Sequence, residues 1–157
     1  MSDRYAPPSE FLRAVIDEDV PLVGSDFATA NLRRLIEMTR DKDPVNRDWA
    51  TLLLAQQDLD TPEVREALLR AAEDGNDAVR AEAILGVAQR DKALALPLLQ
   101  KELARKSVAM PIFEAAALVA DPSLADDLRA YVPLSGDDLL DRWALDALKA
   151  CETGEPA

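Results

Sequence analysis

The chain writes one helical segment twice. Residues 46–56, "NRDWATLLLAQ", and residues 79–89, "VRAEAILGVAQ", superimpose with Arg47 on Arg80, Ala50 on Ala83, Ala55 on Ala88 and Gln56 on Gln89, a spacing of 33. Glu82-Ala83 is echoed 32 residues later by Glu114-Ala115, and Trp49-Ala50 is echoed by Trp143-Ala144, 29 beyond that. Leu54, Val87, Val119 and Leu148 each stand four residues after their alanine. This periodicity predicts four equivalent helices over about 44–57, 77–89, 108–120 and 138–151.

Four further helices fall between them, centred on Leu35, Leu68, Leu99 and Leu128. Asp43-Pro44, Thr61-Pro62 and Asp121-Pro122 each set a capping oxygen before a proline suited to a first helical position. Pro97 and Pro111 are placed in first turns as well, because a proline inside a helix costs about 3 kcal/mol. One helix pair of about 30 residues cannot cover its own apolar face, but stacked pairs bury a continuous core. The expected fold is therefore all-α: a right-handed α-solenoid of about four antiparallel helix pairs, an α-α superhelix. Residues 1–25 form an N-terminal extension, with "YAPPSE" extended and "SEFLRAVI" a short capping helix. Residues 26–151 form the repeat domain, and 152–157 a frayed tail.

Composition fits a helical scaffold and narrows the chemistry. Among 157 residues, aromatics make up 4 % and glycine occurs five times, whereas Leu and Ala dominate. No apolar run is long enough for a transmembrane helix, and the N-terminus lacks the pattern of a secretory signal. The absence of histidine removes the usual general base and imidazole metal ligands. A lone Cys151 gives no internal disulfide and no cysteine-based zinc site, and fits a reducing cytoplasm. The scattered glycines make no phosphate-cradling loop. No cofactor or metal is expected. A net charge of −12 disfavours nucleic acid and anionic membrane and favours a basic protein partner, though it also serves solubility alone.

"DPVNRDWA" (43–50), "NDAVRAEA" (76–83) and "KALALPLL" (92–99) resemble the HEAT-like repeat family, in the short type found in bacterial proteins and bilin-lyase subunits. The likeness extends over residues 27–150. It weakens in the last two repeats, where the arginine position holds Ile112 and then Asp141. The resemblance implies a binding scaffold whose second helices line a concave surface.

On a helical wheel those second helices share one narrow polar stripe: Trp49 and Gln56, Glu82 and Gln89, Glu114, and Trp143. These six are the candidate partner-binding residues. Two readings of the tryptophans stand side by side. The rings fold sideways over Val45, Leu52 and Leu139, or they anchor a partner. Arg47 and Arg80 sit at the repeat edge, where they are expected to form a structural ladder to carboxylates or helix-end carbonyls of the neighbouring pair. The acidic clusters Asp17-Glu18-Asp19, Asp126-Asp127 and Asp137-Asp138 read as helix-start or solvated charges. The leading expectation is a non-enzymatic protein–protein interaction scaffold with an acidic concave groove, whose partner is basic or helical with exposed apolar residues. An immunity or inhibitor protein masking a basic toxin is the alternative. A bilin-lyase-like or DNA-glycosylase-like enzyme comes third.

Overall fold

The computed structural model describes residues 5–132 and 138–157. Nine α-helices and one short 3₁₀ turn account for its regular structure, and the described residues contain no strand. The helices are α1 (Glu10–Ile16), α2 (Asp26–Met38), α3 (Pro44–Ala55), α4 (Pro62–Ala71), α5 (Asp77–Arg90), α6 (Lys92–Leu103), α7 (Pro111–Val119), α8 (Ala125–Arg129) and α9 (Asp138–Thr153). The 3₁₀ turn Pro122–Leu124 precedes α8. None of these helices is long and apolar enough to cross a membrane.

The pairs are α2/α3, α4/α5, α6/α7 and α8/α9, and the second members stack in the order α3, α5, α7, α9. Small residues set that stacking. Ala50, Ala83, Ala115 and Ala144 are at most 1 % exposed, so the helices meet at equivalent alanines. Leu35, Leu68, Leu99 and Leu128 are each fully buried beneath the first members. Gly86 goes further: a Cβ there would lie 2.8 Å from Ala55 Cβ and 3.2 Å from Leu68 Cδ1. The equivalent position in α3 is Leu53, so the repeat changes residue size at this contact between α5 and the end of α3.

Capping fixes the register of most helices. Asp43, Thr61 and Asn76 accept from the first-turn amides of α3, α4 and α5. Helix α7 begins at Pro111, three residues later than the periodicity suggests, and ends against Ala120, whose φ of 51° lies in the left-handed region. Asp121-Pro122 opens a 3₁₀ turn rather than a full α-helix, so the fourth first-member helix is short. Pro97 is a correction: it lies inside α6, not in its first turn. Asp91 caps that helix from its side chain to the Leu94 amide, which fixes the start five residues before the proline. The carbonyl left without an amide, that of Ala93, belongs to an exposed residue and can turn to water.

Ser9 caps α1, which buries Phe11, Leu12 and Val15 against the stack, chiefly through α3. At the other end α9 runs on to Thr153, and the Ala157 amide donates to Ala117 O at 3.3 Å. The terminal residues therefore return to the stack at this point.

Candidate functional site

The α3–α5–α7 row carries two layers of polar side chains. One lies at the loop edge of the repeats. Arg47 donates through Nε and Nη2 to Asp74 at 3.0 and 3.3 Å, and through Nη1 to the carbonyls of Asp41 and Lys42. Arg80 donates through Nε to both Glu102 oxygens at 3.1 Å and through Nη1 to Asp74 O at 2.9 Å. Arg105 reaches the same carboxylate at 3.1 Å. Glu102 is 2 % exposed, so its charge is compensated by two guanidinium groups in place of water. Arg47 and Arg80 are engaged within the fold, while Arg105 is exposed.

Arg90 lies at the opposite, C-terminal end of α5 and has no counterpart in the repeat pattern, because the equivalent residue, just past the end of α3, is Gln57. It donates to the carbonyls of Leu54, Ala55, Gln57, Leu59 and Gly86, closing the C-terminal end of α3. Beside it lies a polar cavity of about 480 Å³ whose walls include Gln56, Gln89, Asp58 and Asp60. Gln56 and Gln89, both exposed, are thus brought together at one end of the row.

The second layer is the row of carboxylates Asp48, Glu82 and Glu114, one on each successive helix. Glu82 is half-buried and makes no hydrogen bond or ion pair among the described residues. Its burial, with the negative charges of Asp48 and Glu114 added, pushes its carboxyl up to about 7 from an ordinary 4.5. Each helix supplies one acid, and no base from a neighbouring helix answers Glu82.

Trp49 and Trp143 flank this row, on α3 and α9. Both are half-buried and packed on the core. Trp49 is covered from outside by a residue the wheel does not reach: the Tyr5 ring stacks on it with centroids 5.9 Å apart and an interplanar angle of 24°. The Tyr5 hydroxyl donates to Asp48 Oδ2 at 2.6 Å. The Trp49 Nε1 is shielded from solvent and has no acceptor among the described residues. Trp143 has no ring partner among the described residues.

Tyr5, Asp48 and Arg90 are the functional-face residues that periodicity misses. Tyr5 lies outside the repeats, Asp48 falls beside the polar stripe on the wheel, and Arg90 stands where the two copies differ. Elsewhere, Cys151 is fully buried with Sγ 3.5 Å from Ala116 O. Burial, then the charge of Asp121, pushes its thiol up to about 11. Asp17, Glu18 and Asp19 are exposed, as is Asp126, while Asp127 is half-buried. Asp137 and the side chain of Asp138 lie outside the described residues.

Comparison with known proteins now adds lineage to geometry. The profile of HEAT repeats matches residues 32–119. The YibA protein of Escherichia coli strain K12 is 30 % identical over 125 residues, which covers 80 % of this chain and 44 % of YibA. The same protein from Escherichia coli O157:H7 gives the same values. The X-ray structure of Escherichia coli YibA superimposes with a TM-score of 0.59 at 25 % identity, over 87 % of this chain and 54 % of that one. The chain therefore spans about half the length of the relatives it matches.

Proposed function

Because the chain belongs to the HEAT-repeat family, we propose that it is a non-enzymatic protein-binding scaffold, working in the cytoplasm, whose second-helix row receives a basic partner segment. The observation that carries this reading is Glu82. A half-buried carboxylate with two acidic neighbours and no base is costly to ionise in the free protein. A lysine or arginine brought in by a partner removes that cost. The row thus favours cationic groups over neutral or anionic ones. Glu82 and Glu114 supply the charge, Trp143 and Trp49 supply apolar anchors at the flanks, and Gln56 and Gln89 offer hydrogen bonds at one end. The partner is a protein rather than nucleic acid or a membrane surface, since a net charge of −12 repels phosphate. The fully buried thiol of Cys151, pushed up to about 11, supports a scaffold over thiolate catalysis. A basic toxin held by an immunity protein would be one narrower case of the same recognition.

The test is capture of proteins from the source cell on the immobilised chain, beside a Glu82→Lys/Glu114→Lys variant that folds normally. The expected result is a small set of basic proteins retained by the native chain, released by salt and lost with the variant. If the retained proteins are indifferent to both charge reversals, the acidic row is not the partner surface.

A further inference from the structure

The N-terminal arm, Tyr5 to Pro8, touches the solenoid in an unusual way. Tyr5 remains 58 % exposed although its ring lies on Trp49 and its hydroxyl is bonded to Asp48. Pro7 is buried, and the arm carries no helix or strand of its own. Just beyond it, the Ser9 amide donates to Asn46 Oδ1 at 3.1 Å, and Asn46 is in turn oriented by donating to Asp41 at 3.0 Å. Arg13 Nη2 steadies the Pro8 carbonyl from α1. The arm is held by one ring stack, one phenol–carboxylate bond, the buried Pro7 and the Arg13 bond to the Pro8 carbonyl, with the Ser9 amide bond just beyond it. Two prolines stiffen it, so little chain entropy is lost on seating. This is how a proline-containing peptide sits on an aromatic ledge, not how a core element packs.

We infer that the ledge made by Trp49, Asp48 and Asn46 is a docking site for a partner segment bearing a tyrosine followed by proline, and that the chain's own Tyr5–Pro8 fills it when no partner is bound. This inference rests on the reading of the second-helix row as the partner face. A tyrosine suits the ledge because Trp49 offers its face while Asp48 needs a donor. Phenylalanine gives only the first contact. The Tyr5 phenol is pushed up to about 12 by burial and then by Asp48, so it remains a donor throughout the neutral range. The acidic surroundings also define what the ledge refuses. Asp48 adds to the charge felt by Glu82, so a partner with acidic residues beside its tyrosine is repelled and one with lysine or arginine there is drawn to the open carboxylates. Because the arm is tethered at α1, its effective concentration is of the order of millimolar. A weak contact is therefore enough to keep the ledge closed.

The experiment uses the full chain with Trp143→Phe, leaving Trp49 as the reporting fluorophore. The probe is the peptide acetyl-Tyr-Ala-Pro-Pro-Lys-Lys-amide. In the Tyr5→Ala form, acrylamide should quench Trp49 more strongly than with Tyr5 present. The peptide should then shift Trp49 emission saturably. With Tyr5 in place the same peptide should bind at least about tenfold more weakly, because it must displace the arm. Adding Asp48→Asn to the Tyr5→Ala form should cost the peptide about tenfold, and exchanging its tyrosine for phenylalanine should do the same. If Tyr5→Ala impairs folding, Tyr5→Phe supplies the comparison: it keeps the stack, loses the Asp48 bond and should bind the peptide more tightly than the native arm allows. Saturable binding that ignores Tyr5 and Asp48, or no binding to the Tyr5→Ala form at millimolar peptide, overturns the inference. Capture of basic proteins that depends on Glu82 and Glu114 would survive either outcome, so the two proposals fail separately.

Discussion

From α3 through α5 to α6 the edge of the repeat stack is laced by arginine, whereas α7 replaces the arginine with a hydrophobe. Arg47, Asp74, Arg80, Glu102 and Arg105 form one connected run across the first two steps, from α3 to the end of α6. At the equivalent place in α7 stands Ile112, fully buried. The C-terminal half uses other ties: Cys151 against Ala116 O, Tyr131 hydroxyl to the carbonyls of Leu103 and Arg105, and a Phe113–Tyr131 edge contact with centroids 5.6 Å apart. Yet the alanine contacts are the same throughout. The stacking therefore depends on small residues between the helices, and the chemistry at the loop edge is interchangeable as long as buried polar groups are paired.

That contrast can be broken most forcefully at Ile112. Ile112→Ala should cost about 3–5 kcal/mol by denaturant titration, since a fully buried side chain is cut back in a packed region. A loss below about 1 kcal/mol would mean that the packing around the start of α7 is loose and the apolar edge is not structural. Arg80→Ala should cost about 2–4 kcal/mol, because Glu102 keeps only Arg105 as partner. The double change Arg80→Met/Glu102→Leu should recover most of that loss, which would show that the ion-laced edge can be made apolar like its neighbour. If the double variant is as unstable as the single one, the arginine edge has a role that hydrophobes cannot fill.

Gly86→Ala probes the contact between α5 and the end of α3. Its new Cβ would meet Ala55 Cβ at 2.8 Å, and the expected cost is about 1–2 kcal/mol after the better helix propensity of alanine is counted. A stabilised variant would show that α3 and α5 can separate freely.

The smallest effect has the opposite sign. Glu82 binds its proton more tightly in the folded chain, at about 7, than its ordinary value of 4.5 allows. Its penalty on folding is absent below pH about 4.5, grows as pH rises, and is complete above about 7. Glu82→Gln should therefore stabilise the chain by about 1 kcal/mol at pH 8, with partial exposure screening the rest, and by nothing at pH 4. Equal effects at the two pH values would place the strain elsewhere than in the charge of Glu82.

The periodic alanines and the capped prolines made the architecture legible from residues alone. An alanine repeated every 29 to 33 positions tells how closely helices approach, whatever their neighbours are. Aspartate or threonine before proline tells where a helix starts. Local chemistry was less decisive at Pro97, where the cap at Asp91 set the start of α6 and the proline fell inside it. The two candidate tryptophans mark the limit on the functional side. A helical wheel gives the direction of Trp49 on α3, but it cannot say what arrives from outside the helix. Tyr5 lies 44 positions earlier in a stretch without period, and nothing in its own sequence ties it to Asp48 and Trp49.

The same division separates Arg80 from Glu82. Both are charged residues on one repeated helix, and their spacing alone puts them on different sides of it. That Arg80 meets Glu102, while Glu82 feels the charges of Asp48 and Glu114, was decided by which helices pack together. Local sequence determines the repeat, the helix ends and the face each residue takes, because these depend on contacts within about four positions along the chain. The pairing of Glu102 with Arg80 and the strain on Glu82 depend on side chains brought from 22 to 34 positions away, and only the tertiary structure supplies them.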